Sequence, residues 1–240
     1  MHPPPQDSPQ LRSHTWETVG GGVLLVPLGS TEQHGPHLPL DTDTRVALCV
    51  AAELAARCRG RGVEALVAPP VEYGASGEHE GFPGTVSIGT PALTTVLVEL
   101  GRSASRWARA VVFLNAHGGN LDALREATAL LRSEGRDATW IPCVAAAKDR
   151  PADAHAGWVE TSLMLHLAPD HVRTERAVAG NRRPLEEILP ALRRDGVRAV
   201  SPNGVLGDPT GATAADGRHL FDAMCDGAWA RLQATIGAHA

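Results

Sequence analysis

Three short stretches of this 240-residue sequence set histidine beside carboxylate or on a tight turn. The first, Gly29-Ser30-Thr31-Glu32-Gln33-His34-Gly35-Pro36-His37-Leu38-Pro39-Leu40-Asp41-Thr42-Asp43, places Glu32, His34, His37, Asp41 and Asp43 in one irregular segment. The second, Asn115-Ala116-His117-Gly118-Gly119-Asn120, carries His117, and the third, His155 to Ser162, carries His155 and Glu160. Imidazoles and carboxylates without thiolates are the ligand set of hydrolytic Zn, Mn or Fe(II) sites, where an open coordination position holds a water. In extended backbone Glu32 and His34 point the same way, so each can face one of two adjacent metals, with a carboxylate bridging the pair. A lone His or Asp in a loop reads as a surface or hydrogen-bonding group. Three strand ends that each supply such residues read as a metal site.

Other chemistries fit less well. His117-Gly118-Gly119-Asn120 lacks a following Lys, so it reads as a turn plus a ligand rather than a phosphate cradle. Ser30 and Ser76 have no evident base partner in sequence, which weakens a serine nucleophile. No Gly-x-Gly-x-x-Gly follows the first strand, which disfavours a metal-free dinucleotide enzyme. Glu78-His79-Glu80 reads as a charged loop, Arg102, Arg106 and Arg109 as a solvated helix face, and His166, His171 and His219 as structural or exposed.

The elements that must position these residues alternate along the chain. Val23 to Leu28 is a continuous apolar run bounded by glycines, as in a buried parallel strand. Helical periodicity follows from about Thr44 to Arg59, then a strand at Glu64 to Ala68. Glu72 to Gly89 is glycine-rich and aperiodic, a loop long enough to be functional. Thr90 with Pro91 predicts a helix start and a helix running to about Arg109. A strand at Ala110 to Leu114, a helix capped by Asn120 and stopped at Gly135, and a strand near Thr139 to Val144 come next. Helices are expected at about Gly157 to Leu167, Pro184 to Arg194 and Ala215 to Ile236. This alternation predicts an α/β fold of three layers, α/β/α, with a mostly parallel central sheet. Ligands then bind beyond the carboxyl ends of the strands, where the three motifs lie.

Length and composition set the outer bounds. Residues 1–19 read as a flexible N-terminal arm and residues 20–240 as a single domain. The proline-rich start lacks the apolar stretch of a secretory signal, and no apolar run reaches membrane-spanning length. A net charge of −5 argues against a nucleic-acid surface. Cys49, Cys58, Cys143 and Cys225 form no Cys-x-x-Cys pair, and four free thiols fit a reducing cytoplasm.

Taken together, the first block, Ser76-Gly77-Glu78-His79 with Phe82-Pro83-Gly84-Thr85, the His117 block and His155 to Ser162 resemble the creatininase family in order over roughly residues 20 to 165. The resemblance implies one divalent metal held by Glu32, Asp43 and His117 and another by His34, Asp43 and Glu160, with Asp43 bridging and Asp41 uninvolved. Zn2+ with Fe2+ or Mn2+ is the implied pair. Creatininase itself has an aromatic residue and a Glu after the His of the second block. Here Gly118 and Gly119 stand there, so Glu160 is expected to replace the missing Glu. His155 matches the family's catalytic histidine, a proton shuttle or oxyanion stabiliser. Ser76, His79 and Trp158 are candidate substrate contacts.

Creatininase carries a tryptophan shortly before its catalytic histidine, whereas this chain has Asp149-Arg150-Pro151-Ala152-Asp153-Ala154, which disfavours creatinine. The blocks look most like family members that release a C-terminal Val-Tyr-derived portion from a modified precursor peptide. The alternatives are a small-molecule amide hydrolase, acting on creatinine or on a formamide of flavin or deazaflavin biosynthesis, and a non-catalytic, metal-stabilised peptide-binding protein. The family also implies a homo-oligomer, hexamer or octamer.

Overall fold

The computed structural model describes residues 9–145 and 153–237. Four strands, β1 (Val23–Leu28), β2 (Ala65–Val67), β3 (Ala110–Asn115) and β4 (Ala138–Pro142), form one parallel sheet in the order β2-β1-β3-β4. The interleaved helices are α1 (Thr42–Arg59), α2 (Gly89–Ala104), α3 (Leu121–Ser133), α4 (Trp158–Leu167), α5 (Leu185–Asp195), α6 (Val197–Val200) and α7 (Ala214–Gly237). Because alternate strand residues face opposite sides, β1 divides its side chains between two apolar layers. Val23 and Leu25 pack with Val50 and Leu54 of α1, Leu163 of α4 and Met224 of α7. Leu24, Val26 and Leu28 pack with Leu93 and Leu97 of α2 and Leu124 and Leu131 of α3. The result is the expected three-layer α/β/α arrangement, every residue of β1 and β3 being buried.

Two local expectations change. Helix α2 begins at Gly89 and ends at Ala104, short of Arg109, because the chain must turn back to the sheet: the Arg109 amide donates to the carbonyls of Gly21 and Gly22, at 3.2 and 3.0 Å. Within the long loop, Gly77–His79 forms a single 3-10 turn. At the amino end, residues 1–8 lie outside the described residues. From Pro9 onward the chain is tied to the sheet edge: the Val67 amide donates to the Pro9 carbonyl at 2.6 Å, and Leu11 and Val19 pack on the α2/α3 side of the core.

The β1 and β3 carboxyl ends lie side by side at the middle of the sheet, in register from Val23 with Ala110 to Leu28 with Asn115. Their following loops therefore open at one place. Gly29 makes the junction possible, since a Cβ there would collide with the backbone nitrogen and hydroxyl of Thr44 in the first turns of α1.

Candidate metal centre

After β1 the chain folds back on itself. The Glu32 amide donates to the Leu40 carbonyl at 3.0 Å and the Leu38 amide to the His34 carbonyl at 3.3 Å. This return lays the first turn of α1, with Asp43, against Glu32 and His34. The β3 loop adds His117. Asn120 stands at the N-cap position of α3 as expected, but its side chain makes no cap hydrogen bond. Its side chain is a buried tie instead: Oδ1 accepts from the Ala75 amide at 2.9 Å, and Nδ2 donates to Gly29 O at 2.9 Å and Asn115 Oδ1 at 3.1 Å. One asparagine thus joins the β1, β3 and Gly77 loops.

Glu32, His34, Asp43, His117 and Glu160 come together in this pocket. Asp43 divides its carboxylate: Oδ1 lies 3.2 Å from His34 Nε2 and Oδ2 lies 3.4 Å from His117 Nδ1. His117 Nδ1 is also 3.2 Å from Glu32 Oε2, and His34 Nε2 is 3.9 Å from Glu160 Oε2. The ligand atoms of Glu32, Asp43 and His117 lie within 4.8 Å of one another, as do those of His34, Asp43 and Glu160, and those of Glu32, His34 and His155. Glu32 Oε1 and Asp43 Oδ2 are buried without a hydrogen-bond partner. Buried carboxylate oxygens left unpaired are costly, and a cation between them removes that cost, so the donor set fits divalent metals.

Electrostatics point the same way. Burial alone would push Glu32 up and His34 and His117 down, but their mutual attraction wins. His117, then His79 and His34, hold Glu32 well below the ordinary range. Asp43, Glu160 and Glu32 raise His34 to about 10, and Glu32 with Asp43 raises His117 well above its usual value. The pocket thus attracts positive charge, either as protons on His34 and His117 or as metal. By contrast, burial together with the neighbouring histidines lowers His155, and takes His79 to about 3.

The hydrogen bonds place the protons of the neutral rings. His155 Nε2 donates to the Gln33 carbonyl at 2.8 Å, which leaves Nδ1 bare and facing Glu32 Oε1 at 3.8 Å. Gln33 Nε2 donates to His79 Nδ1 at 2.9 Å, so His79 carries its proton on Nε2, 3.4 Å from Glu32 Oε1. Next to His155, Ala156 is held at φ 52, a left-handed conformation costly for a residue with a side chain. Its amide donates to Glu160 Oε2 at 2.6 Å.

The remaining expected residues divide. Ser76 is fully buried, its hydroxyl against that of Ser30 and 3.4 Å from His117 Nε2. His79 lines the cleft beside the acids. Trp158 does not face it: the indole packs in the α1/α4/α7 core and its N–H donates to the Gly211 carbonyl at 3.2 Å, because α4 turns Glu160 rather than Trp158 toward the pocket. Asp41 pairs with Arg45 at 2.8 Å, and His37 bonds Thr161 at 2.8 Å away from the ligand atoms. Of the stretch 149–154 that disfavours creatinine, residues 149–152 lie outside the described residues, which resume at Asp153. Gln33 and Glu78 were missed. Gln33 stands inside the first block between Glu32 and His34, but an uncharged amide gives no sign of a role, and Glu78, though in a second block, reads as part of a charged loop.

A cleft of about 1090 Å³ opens above the five side chains. Helices α5 and α6 supply its far wall, with Leu185, Leu189, Leu192 and Arg198. Among the described residues no helix is long and apolar enough to cross a membrane.

The family model described as creatinine amidohydrolase matches residues 9–232. A mycofactocin precursor peptide peptidase of Mycolicibacterium smegmatis is 58% identical over 212 residues, 88% of this chain and 84% of that protein. Among solved structures, creatinine amidohydrolase (creatininase) superposes with a TM-score of 0.79 at 26% identity, covering 95% of this chain and 97% of that one. A structure of creatininase with Mn gives 0.77 at 27% identity, covering 95% and 98%.

Proposed function

The chain belongs to the creatininase family of amidohydrolases, and on that premise we propose that it is the peptidase that releases a C-terminal Val-Tyr-derived dipeptide from a modified mycofactocin precursor peptide. Glu32, Asp43 and His117 would hold one divalent cation and His34, Asp43 and Glu160 the other, with Asp43 common to both sets. Zn2+ with Fe2+ or Mn2+ suits this mix of carboxylate and imidazole. The observation that carries the reading is the divided carboxylate of Asp43, with one oxygen toward each histidine.

Two such cations supply Lewis acidity toward the scissile carbonyl and an activated water. The protein's own groups do the rest. His155, with its Nε2 proton committed to the Gln33 carbonyl, offers Nδ1 to take the proton that water loses and to return it to the leaving nitrogen as the C–N bond breaks. Gln33, fixed further by donation to Gly204 O at 3.1 Å, keeps His155 and His79 in their tautomers. The cleft is larger than a creatinine-sized amide requires, which favours a peptide.

Incubating metal-loaded protein in parallel with the modified precursor peptide, creatinine and a formamide, with products identified by mass, tests the reading. Cleavage of the peptide alone is expected. Turnover of creatinine or the formamide alone would overturn it.

We further take the enzyme to be cytoplasmic and a homo-oligomer, hexamer or octamer.

A further inference from the structure

Residue 119 has no side chain, yet the space beside it is filled. A Cβ there would strike the Ala75 carbonyl oxygen and would lie 2.5 Å from His117 Nε2 and 2.8 Å from Glu78 Oε1. Glu78 reaches this place from the 3-10 turn of the opposite loop. Its Oε1 lies 3.6 Å from His117 Nε2 and 4.0 Å from His79 Nε2, with the side chain 26% exposed at the cleft.

His117 turns Nδ1 toward Glu32 and Asp43. A ring that ligates through Nδ1 carries its proton on Nε2, and three oxygens gather there: Ala75 O at 3.3 Å, Ser76 Oγ at 3.4 Å and Glu78 Oε1 at 3.6 Å. Only Glu78 bears charge. Carboxylates in such positions fix the orientation of a ligating imidazole and raise its basicity.

We propose that Glu78 is the positioning residue for His117, holding the Nε2 edge of the ring from the space left open by Gly119 so that Nδ1 stays aimed between Glu32 and Asp43. The role rests on the reading of Glu32, Asp43 and His117 as one ligand set. Glycine at 119 is required first by the Ala75 carbonyl, which a Cβ there would strike, and the space it leaves is the one that Glu78 and the His117 ring share.

The test is Glu78→Gln and Glu78→Ala in the full chain, with metal content by mass spectrometry, metal affinity by competition with a chelator, and the visible spectrum of the Co2+-loaded protein. Glu78→Gln keeps shape and an acceptor but loses charge, so it is expected to fold like wild type and to bind one of the two metals roughly 10-fold more weakly, with a shifted Co2+ spectrum. Glu78→Ala is expected to weaken the same metal further, up to about 100-fold. Wild-type affinity and spectrum in Glu78→Gln would overturn the proposal while leaving the two-metal reading intact. Wild-type protein that binds no metal would overturn both. Neither readout depends on which amide the enzyme cleaves.

Discussion

Asp43 Oδ1 lies 3.2 Å from His34 Nε2, although the two are nine positions apart and the chain reverses completely between them. The other oxygen of Asp43 faces His117. A residue so placed belongs to both halves of the centre, and its removal affects both.

Asp43→Ala is therefore expected to lose both metals together, read as metal per chain after dialysis. Glu160→Ala, touching only the His34 half, is expected to lose one. Retention of a full complement by Asp43→Ala would show that the carboxylate does not bridge.

His155 separates an enzyme from a metal-stabilised binding protein. His155→Ala should keep both metals and lower kcat by about 10²- to 10⁴-fold, the usual range for a lost general acid–base. A variant that cleaves peptide at the wild-type rate would remove His155 from the chemistry, and loss of metal would make it a ligand with Glu32 and His34 instead.

Stability should respond to pH differently with and without metal. In the metal-free protein His34 titrates at about 10 rather than 6.5, since Asp43 and the other acids outweigh its burial. A folded-state value above the unfolded one gives stabilisation that is complete below the unfolded value and lost as pH rises through the folded one. The metal-free Tm should thus fall between about pH 6.5 and 10. Metal binding should release protons near neutrality and tighten as pH rises, because ligating imidazoles must be neutral. A calorimetric titration in two buffers of different ionisation enthalpy reads the released protons, and none would contradict a protonated His34.

Trp158, buried in the core, should behave as a packing residue. Trp158→Ala is expected to lower stability by about 3 to 5 kcal/mol in denaturant unfolding while leaving KM near its wild-type value. A large rise in KM with unchanged stability would return the indole to the substrate.

Asn120→Ala should cost on the order of 3 kcal/mol, since it leaves the buried Ala75 amide and the Gly29 carbonyl without their partner and Asn115 Oδ1 with only the His117 amide. Denaturant unfolding of the metal-free protein checks this apart from any effect on the centre. An unchanged midpoint would mean that the three loops hold together without it.

Much of this was written locally. The apolar runs of β1 and β3 and the helical period of α1 and α3 depend on neighbouring residues, so the sequence by itself determined the three-layer fold and the loops after β1 and β3 that hold Glu32, His34 and His117; Asp43 and Glu160 stand in the first turns of α1 and α4. Tertiary structure decided what depends on distant partners. Trp158 faces the core because α4 packs on α7. Asn120 abandons a capping role for a tie across three loops. Gln33 sets two histidine tautomers at positions 46 and 122 residues away, His79 through its side-chain amide and His155 through its backbone carbonyl. Glu78 enters the site only because Gly119, on a different loop, leaves room for it. Spacing along a chain reports which residues share a turn or a strand, whereas hydrogen-bond choice and the filling of a cavity are settled only when separate loops meet.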